Sequence, residues 1–413
     1  MSTPQRIVVV GGGLAGAKTV EELRTQGYAG ELTLVHREAH LPYERPPLSK
    51  DYLQGKAQFD DALVHPQSWY DEHDVHLVEG VATAIDLDAH EVQVEGGATL
   101  GYDRLVLATG STPRRLPIDG ADAEGVLTLR TKEDSDAIRA TFGSDKRLVI
   151  VGGGWIGLEV AAAARAKGTA VTVLEAGELP LLAVLGPEIA QVFADLHTEQ
   201  GVDLRTGAQV AAIEVEDGRA TGVRMGDGSV IAADAVLLGV GAAPNVDLAQ
   251  SAGLDVDNGV LVDASLRSSN PDVYVVGDIA NHDHPVLGRR LRVEHWATAL
   301  NQPSAVAASL VGGDKPYTEL PYFYTDQYDL GMEYIGNAGK DAYDRVVVRG
   351  DLDSREFVSF WLDDQSRILA AMNVNVWDVV DQIKPLIADS TVVDADKLAD
   401  PSVDYPQVAR TDD

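Results

Sequence analysis

The chain contains no cysteine. Disulfides, thiolate nucleophiles, cysteine-held metals and iron–sulfur clusters are therefore excluded, and no metal site is expected. Basic residues are also scarce. Lys and Arg number 33 against 65 Asp and Glu, a formal net charge of -32. Such a surface favours solubility and repels phosphate backbones, which argues against a nucleic-acid partner. Long apolar runs are missing too. The least polar stretch, residues 148–164, is broken by glycines and Glu159, which argues against a membrane span. The opening MSTPQRIVVVGGG runs its apolar residues straight into glycines, unlike a secretory leader. A cytoplasmic location is expected.

What is present is a repeated design. A chain of 413 residues has room for two or three domains. Residues 6–10 form a short β-branched run that meets Gly11-Gly-Gly13-Leu14-Ala15-Gly16, and a helix-like stretch and a second strand at 31–35 follow. Residues 148–151 meet Gly152-Gly-Gly154-Trp155-Ile156-Gly157, followed by an Ala-rich helix and a strand at 170–174. Both copies read strand, glycine turn, helix, strand, as two parallel βαβ units. Buried strands end at Thr109-Gly110, at Gly241 and at Gly277-Asp278. From about residue 320 the texture changes to antiparallel-looking segments, with a helix expected over 377–387. The acidic tail from 389 is expected to be partly mobile. The fold class is thus α/β. Two Rossmann-like dinucleotide-binding domains are followed by a C-terminal α+β domain. The expected boundaries are 1–112 with 245–319, then 113–244, then 320–413.

In G-x-G-x-x-G the first glycine makes the turn, the second admits a pyrophosphate, and the third lets helix and strand pack closely. The helix N-terminus then offers free N–H groups to the phosphates. One copy is weak evidence; two copies in the same context are strong. In the second unit Glu175 follows the second strand. A carboxylate there accepts ribose hydroxyls and repels a 2′-phosphate, which favours NADH over NADPH. Otherwise Glu175 is a solvated strand end. The first unit has His36-Arg37-Glu38 instead. Arg37 would stack on adenine or pair with phosphate, and Glu38 lies beyond the usual acidic position. Two dinucleotides in one chain suggest a relay of nicotinamide and flavin.

Together these motifs resemble the FAD-dependent ferredoxin reductases of the putidaredoxin reductase and rubredoxin reductase kind. They resemble apoptosis-inducing factor and glutathione reductase more distantly. The likeness runs through Gly11–Gly16, the loop at 42–50 (PYERPPLSK), Ala108-Thr109-Gly110, Leu129-Arg130-Thr131, the second glycine turn with Glu159, Val276-Gly277-Asp278, Glu294-His295-Trp296 and residues 321–327. It implies FAD contacts from Gly11, Gly13, Leu14, Ala15, Gly16, Arg37, Arg45, Lys50, Ala82, Thr109, Gly110, Arg130, Gly277, Asp278, Glu294, His295 and Trp296. It implies NADH contacts from Gly152, Gly154, Trp155, Ile156, Gly157, Glu159, Glu175 and Gly241. The proline-stiffened loop would set Lys50 beside the flavin, paired with Glu159, and these two are the expected catalytic residues. The family often carries Gly-Asp or Gly-Glu where this chain has His36-Arg37.

Zero cysteine separates this chain from relatives that pass electrons to protein sulfur. Electrons must leave the flavin for an outside acceptor. A ferredoxin-type iron–sulfur protein, feeding an oxygenase or cytochrome P450, is the expected partner. Rubredoxin, a quinone, or a non-enzymatic redox sensor resembling apoptosis-inducing factor are the alternatives. An acidic carrier would need a local basic patch, and Arg289, Arg290 and Arg292 form one candidate, Arg114 and Arg115 another. The chain is expected to be a monomer or homodimer. Tyr322, Phe323 and Tyr324 read as core packing, with stacking on a ring as the lesser alternative.

Overall fold

The computed structural model describes residues 4–339 and 341–410. The chain divides into two compact units. One gathers residues up to 45 with 59–112 and 243–321. The other gathers 46–58, 113–242 and 322 onward. The loop 46–58 thus groups with the second unit, whereas the sequence reading kept it in the first.

The first unit is built on a five-stranded sheet. Its order is Val273–Val275, Arg104–Leu107, Arg6–Val10, Glu31–His36, Val75–Glu79, with every neighbour parallel. Parallel strands are covered on both faces, so they read as continuous apolar runs. Ile7, Val9, Leu32, Leu34, Leu105 and Val275 are accordingly all buried. The helices Leu14–Thr25 and Trp296–Val311 pack together. A small antiparallel sheet, Ala82–Asp86, Glu91–Val94 and Ala98–Gly101, forms the excursion between the strands Val75–Glu79 and Arg104–Leu107.

The second unit repeats the plan. Its parallel order is Asp203–Arg205, Ala170–Leu174, Arg147–Val151, Ala235–Leu238, Val126–Leu127. The registers match strand for strand. Val10 faces Val35 and Leu107 in the first unit, and Val151 faces Leu174 and Leu238 in the second. His36 and Glu175, each one residue later, therefore occupy equivalent positions. The second unit also carries a five-stranded antiparallel sheet. Its order is Tyr322–Gln327, Leu330–Gly336, Ile368–Val374, Glu356–Leu362, Arg345–Asp351. Phe357, Trp361, Met372 and Val374 lie in one core with Leu185 and Phe193 of the helix Leu182–Glu199.

Two expectations change near the C-terminus. The last long helix is Val380–Ala388, three residues later than expected. Asn375 and Asp378 adopt positive φ (52° and 63°), so the chain must turn before helical geometry can begin. The tail is docked rather than mobile over its described length. Val393, Leu398 and Val408 are fully buried, and Asp394 caps the short helix Ala395–Ala399 by accepting from the amides of Asp396 and Lys397. Arg349 lies 4.6 Å over the Tyr405 ring. A side chain as buried as Leu398 makes a sharp test. Leu398→Ala is expected to cost about 2–5 kcal/mol in urea unfolding; a loss within about 0.5 kcal/mol, as at surface sites, would mean the tail is not seated.

Candidate functional site

The first glycine turn is built by close approach. Gly11 has φ 126°, and a Cβ there would lie 2.1 Å from the Ala108 carbonyl oxygen. A Cβ on Gly16 would meet the Gly11 oxygen at 1.9 Å. Gly13 is different, because a Cβ there would meet nothing within 4 Å. Gly13 is also the extended N-cap of the helix Leu14–Thr25, with no side-chain cap and no acidic residue in the first turn. The second turn copies each feature. Gly152 (φ 106°) would clash with the Gly239 oxygen at 2.3 Å, and Gly157 with the Gly152 oxygen at 2.3 Å. A Cβ on Gly154 would touch only the Gly239 oxygen, at 4.0 Å, and Gly154 caps the helix Trp155–Ala166 without a side chain. Each helix thus presents bare N–H groups and a partial positive charge beside an open backbone surface, which suits a pyrophosphate.

Other expected residues gather in the first unit. Asp278 sits on the short turn Gly277–Ile279 and is buried; its Oδ2 accepts from Ser111 Oγ at 2.7 Å. Gly277 has φ 76°, and its N–H donates to Gln302 Oε1 at 2.8 Å. Thr109 Oγ1 donates to the Asn245 carbonyl, and Asn245 Nδ2 donates back to the Thr109 carbonyl, both at 2.8 Å. This clasp holds Thr109 and Gly110. Arg45 bonds Glu38 at 2.8 Å and lies 5.2 Å over the Tyr43 ring. Burial alone would lower the Arg45 pKa, but Glu38, Tyr43 and Asp278 outweigh it and hold it up. Glu38 is therefore committed within the protein. His36 is buried at the end of its strand, and its Nδ1 pairs with the Glu38 carbonyl. Arg37 is exposed, and Ala82 is half-buried at the start of its strand. Trp296 opens its helix after the extended His295, and its Nε1 donates to Glu44 Oε2 at 2.9 Å. Glu294 accepts from Arg292.

The second unit holds the remainder. Glu175 accepts from the amides of Gly153 and Gly177, each at 2.7 Å, so the carboxylate is pinned beside the glycine turn. Trp155 packs edge-on against Phe193 and Phe323, while Ile156 is exposed. The Gly241 carbonyl accepts from the Arg114 amide at 2.9 Å. Arg130 and Lys50 both belong to this unit; the sequence reading had grouped Lys50 with the first.

The prolines of the loop make a turn of 3₁₀ helix, Pro46–Ser49, with Leu48 buried. The loop is tied to the helix Lys132–Arg139: Ser135 Oγ donates to the Leu48 carbonyl at 2.8 Å and Tyr52 OH to Asp136 at 2.7 Å. Lys50 Nζ then meets Glu159 Oε1 at 2.7 Å. The Lys50 and Glu159 side chains are 14% and 4% exposed. Glu159 also accepts from Ser49 Oγ and, at 2.6 Å, from Thr325 Oγ1. Tyr324 lies 5.4 Å below the Lys50 ammonium. A buried carboxylate is costly unless its oxygens are satisfied, and three donors do so here. Asp326 lies in the same field. Burial pushes its carboxyl pKa up, Lys50 opposes, and Glu159 and Asp51 add to the rise.

The arginines expected to form a basic patch are partly tied into the fold. Arg290 donates to the carbonyls of Val262 and Asn281, and Arg292 to those of Asp278 and, through Glu294, to a carboxylate. These two brace the turns around them; Arg289 and Arg290 are exposed and Arg292 is partly buried. Arg114 and Arg115 likewise donate to the carbonyls of Ala242 and Ala121.

The pyridine nucleotide-disulphide oxidoreductase profile matches residues 5–302, and a reductase C-terminal profile matches residues 322–409. The chain belongs to the pyridine nucleotide-disulphide oxidoreductase family. The ferredoxin reductase subunit of 5,5'-dehydrodivanillate O-demethylase from a Sphingobium species is 40% identical over 95% of both chains. Putidaredoxin reductase CamA of Pseudomonas putida is 38% identical over 99% of this chain and 97% of that one. The putidaredoxin reductase in a covalent complex with putidaredoxin superposes with a TM-score of 0.94, at 37% identity over 98% of each chain. The family brings FAD and NAD(H) as cofactors, and two open glycine cradles with uncapped helix N-termini fit two dinucleotides. The disulphide of the family name has no counterpart in a cysteine-free chain. No helix among the described residues is long and apolar enough to cross a membrane.

Burial also shapes the pH response. His197, His282 and His295 are each pushed down to about 4 by burial. Their unfolded value is about 6.5. The unfolded chain therefore binds more protons between the two values. Stability is full above pH about 6.5 and falls as pH drops toward about 4, by about 1.4 kcal/mol per pH unit for each histidine. Urea unfolding across that window should show this slope, and His282→Gln should flatten part of it; a level profile would contradict the burial argument.

Proposed function

We propose that this protein is an NADH-dependent flavoprotein reductase. It passes electrons from NADH through FAD to a ferredoxin-type iron–sulfur protein that supplies an oxygenase or cytochrome P450. One observation carries the reading: the chain has two dinucleotide cradles and no cysteine to take charge onward. The ferredoxin partner is in keeping with the names of the relatives, which include ferredoxin reductase subunits and a putidaredoxin reductase crosslinked to putidaredoxin. The first unit is read as the FAD-binding unit. In the second, residues 113–244 are read as the NADH-binding part.

FAD supplies the chemistry, since a flavin takes a hydride as an electron pair and can give electrons up singly. The protein's own residues bind and orient. Gly13 and Gly154 leave room for each pyrophosphate, and the helices behind them supply N–H donors. Asp278, fixed by Ser111, is aimed to accept from cofactor hydroxyls. Glu175 accepts ribose hydroxyls and repels a 2′-phosphate. Lys50, fixed by Glu159 and the proline turn, keeps one orientation for the hydride step, and a buried pair of this kind resists displacement. Asp326, Tyr324 and Thr325 set the local charge and packing around that ammonium.

Two measurements test this reading. Stopped-flow mixing should bleach the flavin band with NADH about ten-fold or more faster than with NADPH at equal concentration. Equal rates would remove the role given to Glu175, and no bleaching would sink the reductase assignment. Docking of the carrier is proposed near Arg289, Arg290 and Arg292. Arg289→Glu should slow ferredoxin-dependent cytochrome c reduction about ten-fold while leaving ferricyanide reduction unchanged; equal loss of both would remove the docking role.

A further inference from the structure

The strand Tyr322–Gln327 breaks a local rule. Its buried face should be apolar, yet it presents Phe323, Thr325 and Gln327, the last two 1% and 0% exposed. Opposite stands His197 on the helix Leu182–Glu199, also 0% exposed. Polar groups this deep persist when every one is satisfied, and here they are satisfied in a single direction. Thr325 Oγ1 donates to Glu159 Oε1 at 2.6 Å. Gln327 Nε2 donates to Thr325 Oγ1 at 3.2 Å. The other end of that amide, Oε1, lies 2.8 Å from His197 Nε2. A carbonyl oxygen only accepts, so Nε2 must carry the imidazole proton. His197 Nδ1 is then an acceptor, and the Tyr328 hydroxyl stands 3.4 Å away to donate to it. Tyr328 adopts φ 59°, a backbone region disfavoured for its residue type, in placing that hydroxyl.

Four donors thus point the same way, from Tyr328 through His197, Gln327 and Thr325 to the carboxylate that grips Lys50. Aligned hydrogen bonds polarise one another, and their sum falls on the terminal acceptor. We propose that Thr325, Gln327 and His197 are positioning residues for the hydride step, holding Glu159, and through it Lys50, in one orientation by way of a neutral imidazole protonated on Nε2. The inference rests on the reading that the Lys50–Glu159 pair serves that step. It gives the C-terminal sheet a part in the chemistry beyond packing. Burial, which keeps His197 neutral across the working pH range, agrees with it.

The test has a spectroscopic and a kinetic arm. In the FAD-loaded protein labelled with ¹⁵N-histidine, His197 should show one neutral tautomer, protonated on Nε2, from pH ~8 down to ~5.5. A proton on Nδ1, a tautomer mixture, or titration above pH ~6 would overturn the proposal, and this arm needs no variant. Thr325→Val removes the donor to Glu159 and the acceptor that orients Gln327. It should mix the His197 tautomers and slow flavin reduction by NADH about ten-fold, with NADH affinity within about two-fold. Thr325→Ser, which keeps the hydroxyl, should restore both. A Val variant that reacts as fast as the parent would reduce the network to core packing and overturn the proposal. Failure of the parent itself to react with NADH would instead sink the reductase reading and the kinetic role with it, while the tautomer arm would still judge the network.

Discussion

The molecule depends on two places where a backbone comes so close to a neighbouring carbonyl that no side chain can stand between. At Gly11 the obstacle is the Ala108 oxygen and at Gly152 the Gly239 oxygen. Because those glycines turn at once, each helix starts directly over its parallel sheet, and Gly16 and Gly157 let it settle against the turn. The helix N-termini are then left without side-chain caps, which is a local loss of stability. An isolated fold would fill them. Their bareness makes sense when a ligand completes them, and the duplication of the arrangement makes a pair of dinucleotides the economical explanation.

A second constraint follows from the missing thiols. With no cysteine, the chain offers no covalent relay, so its own contribution to electron transfer reduces to orientation and charge. On the proposed reading, the Lys50–Glu159 pair is where that contribution concentrates. A flexible lysine loses much rotamer freedom when fixed. The prolines of Pro46–Ser49 lower that loss by restricting the loop before it packs, and the Leu48 and Tyr52 anchors hold the turn against a helix. Glu159 is held by three donors from two separate segments, the loop and the C-terminal sheet, so its geometry is over-determined.

Much of this was legible in the sequence, because it is written in residue types that have few other uses. Repeated glycines after β-branched runs, and prolines ahead of one lysine, specify backbone geometry directly. The partnership of Lys50 with a residue 109 positions away was accessible only through family resemblance. Ser111, Gln302 and Asn245 gave no signal, since each is an ordinary polar residue until the fold sets it beside Asp278, Gly277 or Thr109. Thr325 and Gln327 did leave a trace, as polar residues in phase with Phe323 on one strand face. The docked tail was misjudged because its acidic composition hid the widely spaced Val393, Leu398 and Val408, which have no short-range period to reveal them. The arginines at 289, 290 and 292 carry a role that their spacing does not reveal, since Arg290 and Arg292 also donate to carbonyls at turn ends.

The two cradles, so alike in backbone, part company one residue beyond the second strand. At that shared register Glu175 points both oxygens at amides beside its turn, whereas His36 is buried and bonds the Glu38 carbonyl. A Cβ on Gly153 would lie 3.0 Å from the Glu175 carboxylate, and one on Gly12 would lie 2.2 Å from the His36 Cβ. Glycine is thus required in both turns, for a carboxylate neighbour in one and a bulky imidazole neighbour in the other. The next acid in the first unit, Glu38, is already held by Arg45 and Tyr43. On the proposed reading, the NADH cradle selects by charge at the ribose, and the first cradle has no carboxylate at that position. A cofactor that must come and go is well served by a selective carboxylate. One that stays bound can draw its affinity from the wider set of contacts around Asp278 instead.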